Sequence, residues 1–232
     1  MTKILTVWPD GTSFEIYVAT TGQIREIFTW NVYDPVKKIA PGDVVVDVGA
    51  CVGTFTFKAM MEGASKVIAF EPAPDNFEIL RKNIGRNKGN FHINQLALSS
   101  EQGWAWLYGG ITPGGQSFIS SDVRYGKNIQ DLGRKRVNVN TLDNALKKID
   151  VKKIDFLKID VEGAAALVLA GARETLERNK VKIGVAVYHH HREKTDVIRV
   201  LEVENYVWKG FNQHGHSVEE LDDVCFIQAW KD

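Results

Sequence analysis

A chain of 232 residues, 44% of them hydrophobic, is long enough to bury the core of one domain with small additions. Its 29 Lys and Arg balance its 29 Asp and Glu, which removes any global electrostatic ground for nucleic acid or an anionic membrane as partner. Two cysteines, Cys51 and Cys225, fit no metal-ligand spacing, no apolar run reaches membrane-spanning length, and residues 1–9 lack a signal peptide's apolar core, so the expectation is a soluble, cytoplasmic chain with reduced thiols.

Residues 4–8 and 14–19 flank Pro9-Asp10-Gly11 and read as a hairpin. Residues 23–40 carry a helical pattern interrupted around Pro35. Residues 1–40 are thus expected to form an N-terminal hairpin and helical extension, and 41–232 the main domain. There strands and helices alternate: strand 44–49, helix 53–62, strand 66–71, helix 75–86 and strand 91–97. An insertion over about 101–139 predicts a hairpin plus a loop around 109–116. Its Trp104, Trp106 and Tyr108 suit either a lid over a substrate or the packed face of that hairpin. Alternation resumes with helix 142–149, strand 154–160, helix 164–178, strand 181–188 and helix 193–204. Strands 206–211 and 224–230 leave no room for a helix between them, so an antiparallel pair is expected to end an otherwise parallel α/β sheet.

The stretch VVVDVGACVGTFTF, residues 44–57, followed by KVIAFEP, residues 66–72, marks a ligand site within that alternation. In an open α/β sheet two such strands hold a nucleoside-bearing cofactor across their carboxyl ends. Asp47 stands where a dinucleotide fold has its first glycine, and a carboxylate there repels pyrophosphate. It suits the ammonium and sulfonium of S-adenosylmethionine, with Gly49 and Gly53 allowing close backbone approach and Glu71 placed for two ribose hydroxyls. The plainer alternative makes Asp47 a helix N-cap and the glycines packing residues.

Three blocks, VVVDVGACVGTFTF, KVIAFEPAPDNFEILRKNI and TLDNALKKIDVKKIDFLKIDVEGAAALVLAGA, resemble the FkbM family of S-adenosylmethionine-dependent methyltransferases. The resemblance implies a Rossmann-like, seven-stranded methyltransferase sheet and O-methylation of a small-molecule or glycan hydroxyl. It implies that Asp47, Gly49 and Gly53 line the methionine portion of the cofactor, with Ala50, Cys51 and Thr54 of the same turn also binding it. Glu71 would hold the ribose near Pro72 and Asn76, Ala97 and Leu98 would flank the adenine, and Asp160 would face the methyl-transfer site. The chain departs from the family in Cys51, where Asn is frequent, and in Ala165-Ala166-Leu167, where acidic residues are common. The second departure bears on substrate class.

Candidates for proton transfer follow two strands that end at the cofactor's edge: Asp160 and Glu162 after one, and the run Tyr188-His189-His190-His191 after the next. His190 is taken as the candidate base, although three consecutive histidines cannot all point one way. Glu162 also suits a helix N-terminus. A carboxylate–histidine metal site ranks below the base reading, and no metal is expected. The rivals are a nucleic-acid or amine N-methyltransferase and a non-catalytic cofactor-binding subunit. The first lacks the usual Asn/Asp-Pro-Pro-Tyr/Phe motif, since residues 160–163 read Asp-Val-Glu-Gly.

Overall fold

The computed structural model describes residues 2–7, 13–18, 20–109, 117–120 and 134–231. Strands β1 (Thr2–Val7) and β2 (Ser13–Val18) pair antiparallel as the hairpin pattern predicts, while its turn lies outside the described residues. The following helix is much shorter than expected. Helix α1 (Thr21–Ile24) runs into a π-helical turn, Arg25–Thr29, and stops at Trp30. Asn31 takes φ 49°, and the chain then runs non-helically towards Pro35, which disfavours helix in the residue before it. That segment buries Val32, Tyr33 and Asp34, whose consecutive side chains one helix face could not bury together.

The alternation that follows is as expected: β3 (Val44–Val48), α2 (Thr54–Met61), β4 (Lys66–Phe70), α3 (Pro74–Gly85) and β5 (Phe91–Asn94). The third strand is shorter than predicted because Ala97–Leu98 (β6) leaves for a second sheet, pairing with β9 (Arg134–Asn140). Strand β9 also pairs with β7 (Gly103–Gly109), which pairs with β8 (Ser117–Ser120), so the insertion contributes three strands rather than one hairpin. Of its expected loop, around 109–116, Gly109 ends β7 and the rest lies outside the described residues. On β7, Ala105 and Leu107 face a small core with Ala73, Ala97, Val137 and Val139. Trp104 and Trp106 point the other way, beneath the guanidinium groups of Arg136 at 4.6 Å and Arg134 at 4.4 Å. They do not close over the cavity described below.

The chain continues through α4 (Leu142–Lys148), β10 (Phe156–Ile159), α5 (Ala165–Ala170), α6 (Arg173–Arg178), β11 (Lys182–Ala186), α7 (Glu193–Val203), β12 (Val207–Phe211), β13 (Ser217–Val218) and β14 (Phe226–Trp230). The helix expected over 164–178 is broken at Gly171. A Cβ there would collide with the Ser99 carbonyl oxygen, and the Gly171 carbonyl accepts the Asp143 N–H at 3.1 Å, so the backbone must come too close for a side chain.

The large sheet runs β13-β12-β14-β11-β10-β3-β4-β5. Strands β5, β4, β3, β10 and β11 are mutually parallel, and β14 is antiparallel to both β11 and β12. Seven of these strands are those expected, and the two-residue β13 adds an eighth at the edge. Both faces are covered, which is why the central strands read as near-continuous apolar runs. Val46, Val48, Leu157, Ile159, Ile183 and Val185 pack under α5 and α7 on one face. Val45, Val67 and Phe156 pack on the other against Phe55 and Ala59 of α2 and against Ile27, Val32, Tyr33 and Ile39.

Candidate functional site

Parallel strands that all end at one edge bring the turns after β3, β10 and β11 together. After Val48 the chain turns through Gly49 (φ 74°) and Cys51 (φ 52°) into α2. Gly49 is required there: a Cβ would run into the Asp160 carbonyl oxygen, so only glycine lets the ends of β3 and β10 approach this closely. A cavity of about 410 Å³ opens at this edge. Its walls are Gly49, Ala50, Cys51 and Thr54 from the glycine turn, Lys158, Asp160 and Glu162 from the end of β10, and Tyr188 after β11. The far wall is the N-terminal segment, with Gln23, Glu26 and Tyr33.

Asp47 does not line this cavity. It is fully buried, with Oδ1 3.0 Å from Lys158 Nζ and Oδ2 accepting the Thr56 hydroxyl at 2.7 Å. Lys158 also donates to the Gly49 carbonyl at 2.8 Å. The negative charge expected to meet a cationic cofactor is therefore neutralised inside the protein. Burial works against the Lys158 ammonium, but Asp47 and Asp160 outweigh it and raise its pKa. Lys158 is not among the residues that the sequence motifs point to.

Glu71, at the end of β4, is buried and accepts backbone N–H groups from Cys51 and Ala73, each at 2.8 Å. It thereby clamps the glycine turn to the next βα turn. Burial pushes its carboxyl up to about 7, against the two N–H donors, which lower it. Pro72 adjoins it, and Asn76 is buried in the first turn of α3. Ala97 and Leu98 are buried too, packed against the second sheet and against the main core respectively. Gly53 caps α2 against Leu80. The residues expected around ribose and adenine thus lie on the same sheet edge but do not line the cavity.

The proton-transfer candidates need one correction. His190 turns away: its Nε2 lies 3.2 Å from the Gly163 carbonyl and its Nδ1 accepts the Arg192 N–H. Its neighbour His189 faces the carboxylates, with Nε2 3.4 Å from Asp160 Oδ1 and 3.5 Å from Glu162 Oε2. Side chains alternate along an extended segment, so His189 and His190 take opposite sides. Tyr33 donates its hydroxyl to Asp160 Oδ2 at 2.8 Å. Burial would raise Asp160, but His189, Lys158 and Tyr33 outweigh it and hold it down at about 2. Glu162, in the left-handed region at φ 52°, is pushed up to about 7 by burial, which His189 opposes and Asp160 reinforces. His189 rises to about 10 because the hydrogen bonds and charges of its carboxylates overcome burial. One cavity carboxylate is thus fixed as an anion and the other is poised to exchange a proton near neutral pH. Among the described residues, no group of three or more His, Cys, Asp or Glu is arranged to hold a metal ion.

Sequence comparison matches residues 47–222 to the Methyltransferase FkbM domain. The chain belongs to the FkbM methyltransferase family. Over 176 residues it is 32% identical to the 31-O-demethyl-FK506 methyltransferase FkbM of Streptomyces tacrolimicus, covering 65% of this chain and 67% of that one. It is 28% identical over 160 residues to the hexuronic acid methyltransferase AglP of Haloferax volcanii, covering 68% of this chain and 61% of that one. The chain thus spans about two thirds of the length of these relatives. In fold it is similar to a crystal structure of methyltransferase FkbM from Methylobacillus flagellatus, with a TM-score of 0.55 at 16% identity, over 92% of this chain and 56% of that one. The FkbM match begins at Asp47, so Gln23, Glu26 and Tyr33 on the far wall lie outside it. The protein is a methyltransferase, and among its described residues no helix is long and apolar enough to cross a membrane.

Proposed function

We propose that this FkbM methyltransferase transfers a methyl group from S-adenosylmethionine to a hydroxyl of a small molecule or glycan. The observation that carries this reading is the pairing, on one cavity wall, of Asp160, which accepts the Tyr33 hydroxyl at 2.8 Å and lies 3.4 Å from His189 Nε2, with Glu162, whose carboxyl burial pushes up to about 7. A hydroxyl is too weakly acidic to attack unaided, and a base with a pKa near the working pH serves it best. The cofactor, when bound, supplies a methyl group on a positively charged sulfur. The residues that would hold it are those of the turn from Gly49 to Thr54 that line the cavity, with Glu71 fixing that turn from behind by accepting the Cys51 N–H. Two buried polar atoms on the cavity wall, Thr54 Oγ1 and Gln23 Oε1, have no hydrogen-bond partner, as a polar ligand requires. Asp160 anchors Tyr33 and His189, Glu162 receives the hydroxyl proton, and the two relatives named above, a 31-O-demethyl-FK506 and a hexuronic acid methyltransferase by name, favour oxygen acceptors.

Labelled methyl transfer to matched hydroxyl, amine and RNA acceptors tests this, with S-adenosylhomocysteine binding followed by calorimetry. Hydroxyl acceptors should carry the label, and Glu162→Gln should lower kcat by about 10²–10⁴-fold while leaving cofactor affinity in place. Glu71→Ala should weaken S-adenosylhomocysteine by about 1–3 kcal/mol by releasing the glycine turn whose Cys51 N–H it accepts. Label in amines or RNA alone would overturn the oxygen assignment. Cofactor binding with no transfer across the panel would favour a non-catalytic subunit, the reading that Ala165-Ala166-Leu167 in place of acids supports.

A further inference from the structure

Glu193 opens α7 and is 1% exposed, yet its Oε1 has no hydrogen-bond partner. A carboxylate drawn so far out of water persists only against a cation or a set of donors. Its other oxygen, Oε2, takes both of its contacts from one residue: the His189 backbone N–H at 3.1 Å and ring Nδ1 at 3.0 Å. The opposite ring nitrogen, Nε2, lies 3.4 Å from Asp160 and 3.5 Å from Glu162. The Tyr188 ring stacks obliquely on the imidazole at 4.3 Å. Lys158 and Tyr33 act on Asp160 as well, and Glu26, on the N-terminal wall, is raised by its own burial and then by the Asp160 charge.

A neutral imidazole has one N–H and one bare nitrogen. Here carboxylates stand at both nitrogens, and Nε2, which has no hydrogen-bond partner, lies 3.4 Å from Asp160 and 3.5 Å from Glu162, so a ring that carries two protons suits the arrangement best. We propose that Glu193 is a positioning residue: by engaging Nδ1 it turns the second N–H of His189 towards Asp160 and Glu162, and so fixes which of the two accepts a proton. This inference rests on the proposed role of Glu162 as the proton acceptor. Glu193 itself touches no substrate, because His189 stands between it and the cavity carboxylates.

Nitrogen-15 NMR of the full chain, without acceptor, tests it, with the His189 signals assigned by their loss in His189→Gln. Both ring nitrogens of His189 should be protonated at neutral pH. In Glu193→Gln the His189 midpoint should fall by at least about one pH unit, a tenfold loss of proton affinity, and Glu193→Asp should restore much of it. The basic limb of the kcat profile should move in Glu193→Gln with little change in cofactor affinity. A singly protonated His189 at neutral pH in the parent overturns the proposal, as does an unchanged midpoint in Glu193→Gln. A purely structural role would lower thermal stability and leave that midpoint in place. Should Glu193→Gln fail to fold, the parent spectrum and Glu193→Asp decide. Absence of methyl transfer to any hydroxyl counts against the proposed function, whereas the His189 spectrum judges the role of Glu193 by itself.

Discussion

Lys158 and Asp47 form a buried ion pair, register partners on adjacent strands, and Asp160 adds to the negative charge that keeps the Lys158 ammonium protonated. Removing one partner of such a pair costs far more than removing both. Lys158→Met should therefore lower unfolding free energy by about 3–5 kcal/mol, and Asp47→Asn added to it should recover most of that loss. Denaturant unfolding of both single variants and the double variant checks this, and equal losses in single and double would dissolve the coupling. The signal was present in the sequence, because a lysine inside the apolar run of residues 154–159 sits in a strand buried on both faces and must have a partner. Glu71 was found from its place after an apolar strand, but its burial was not legible. Its pKa is raised from 4.5 to about 7, so the folded state holds a proton that the unfolded chain has released. Its stabilising contribution is complete below pH 4.5 and is lost as pH rises through about 7. Glu71→Gln should flatten this window by on the order of 2–3 kcal/mol, read from unfolding at a series of pH values, and a parent profile that is flat between these limits would refute it.

Elements were most readable where hydrophobic period and length agreed. The βα alternation from β3 to β11 stands close to its expected boundaries, and so does the antiparallel pairing of β12 with β14. What failed were places where tertiary contact overrides local pattern. Residues 164–178 are good helix formers throughout, and nothing local announces that Gly171 must lie against Ser99. Gly171→Ala should cost at least about 1–3 kcal/mol, because the collision is with backbone and cannot be relieved by a rotamer change. Thermal unfolding measures it, and a neutral result would mean that the α5–α6 break yields more readily than its hydrogen bond to Asp143 suggests. The choice between His189 and His190 was illegible for a related reason. Alternation states that the two oppose each other, but which one faces Asp160 depends on how the chain leaves β11, and the sequence does not encode that locally.

For the molecule as a whole, the first 40 residues are tied to the sheet in three ways. Ile27, Val32, Tyr33 and Ile39 are buried against α2, β3 and β10. Asp34, also buried, binds Lys58 Nζ through both carboxylate oxygens, at 2.9 and 2.8 Å. Gln228, inside β14, accepts the Val36 and Lys37 N–H groups and donates back to the Lys37 carbonyl at 2.7 Å. Burial of four such side chains is worth about 6–12 kcal/mol, comparable to the entire 5–15 kcal/mol that separates folded from unfolded domains. Deleting them also strands the Lys58 ammonium in the core, with Glu62 left as its ion-pair partner among the described residues. A chain beginning at residue 41 should therefore lose cooperative unfolding and expose apolar surface to a hydrophobic dye. It should also lose the far wall of the cavity, where Tyr33 holds Asp160. Milder variants separate these effects. Tyr33→Phe removes only the hydroxyl, so it should keep the fold while raising the Asp160 pKa and altering turnover. Asp34→Asn should lower stability without touching the cavity. A truncated chain that unfolds cooperatively and binds S-adenosylhomocysteine as the parent does would show that the catalytic sheet is complete without its N-terminal wall.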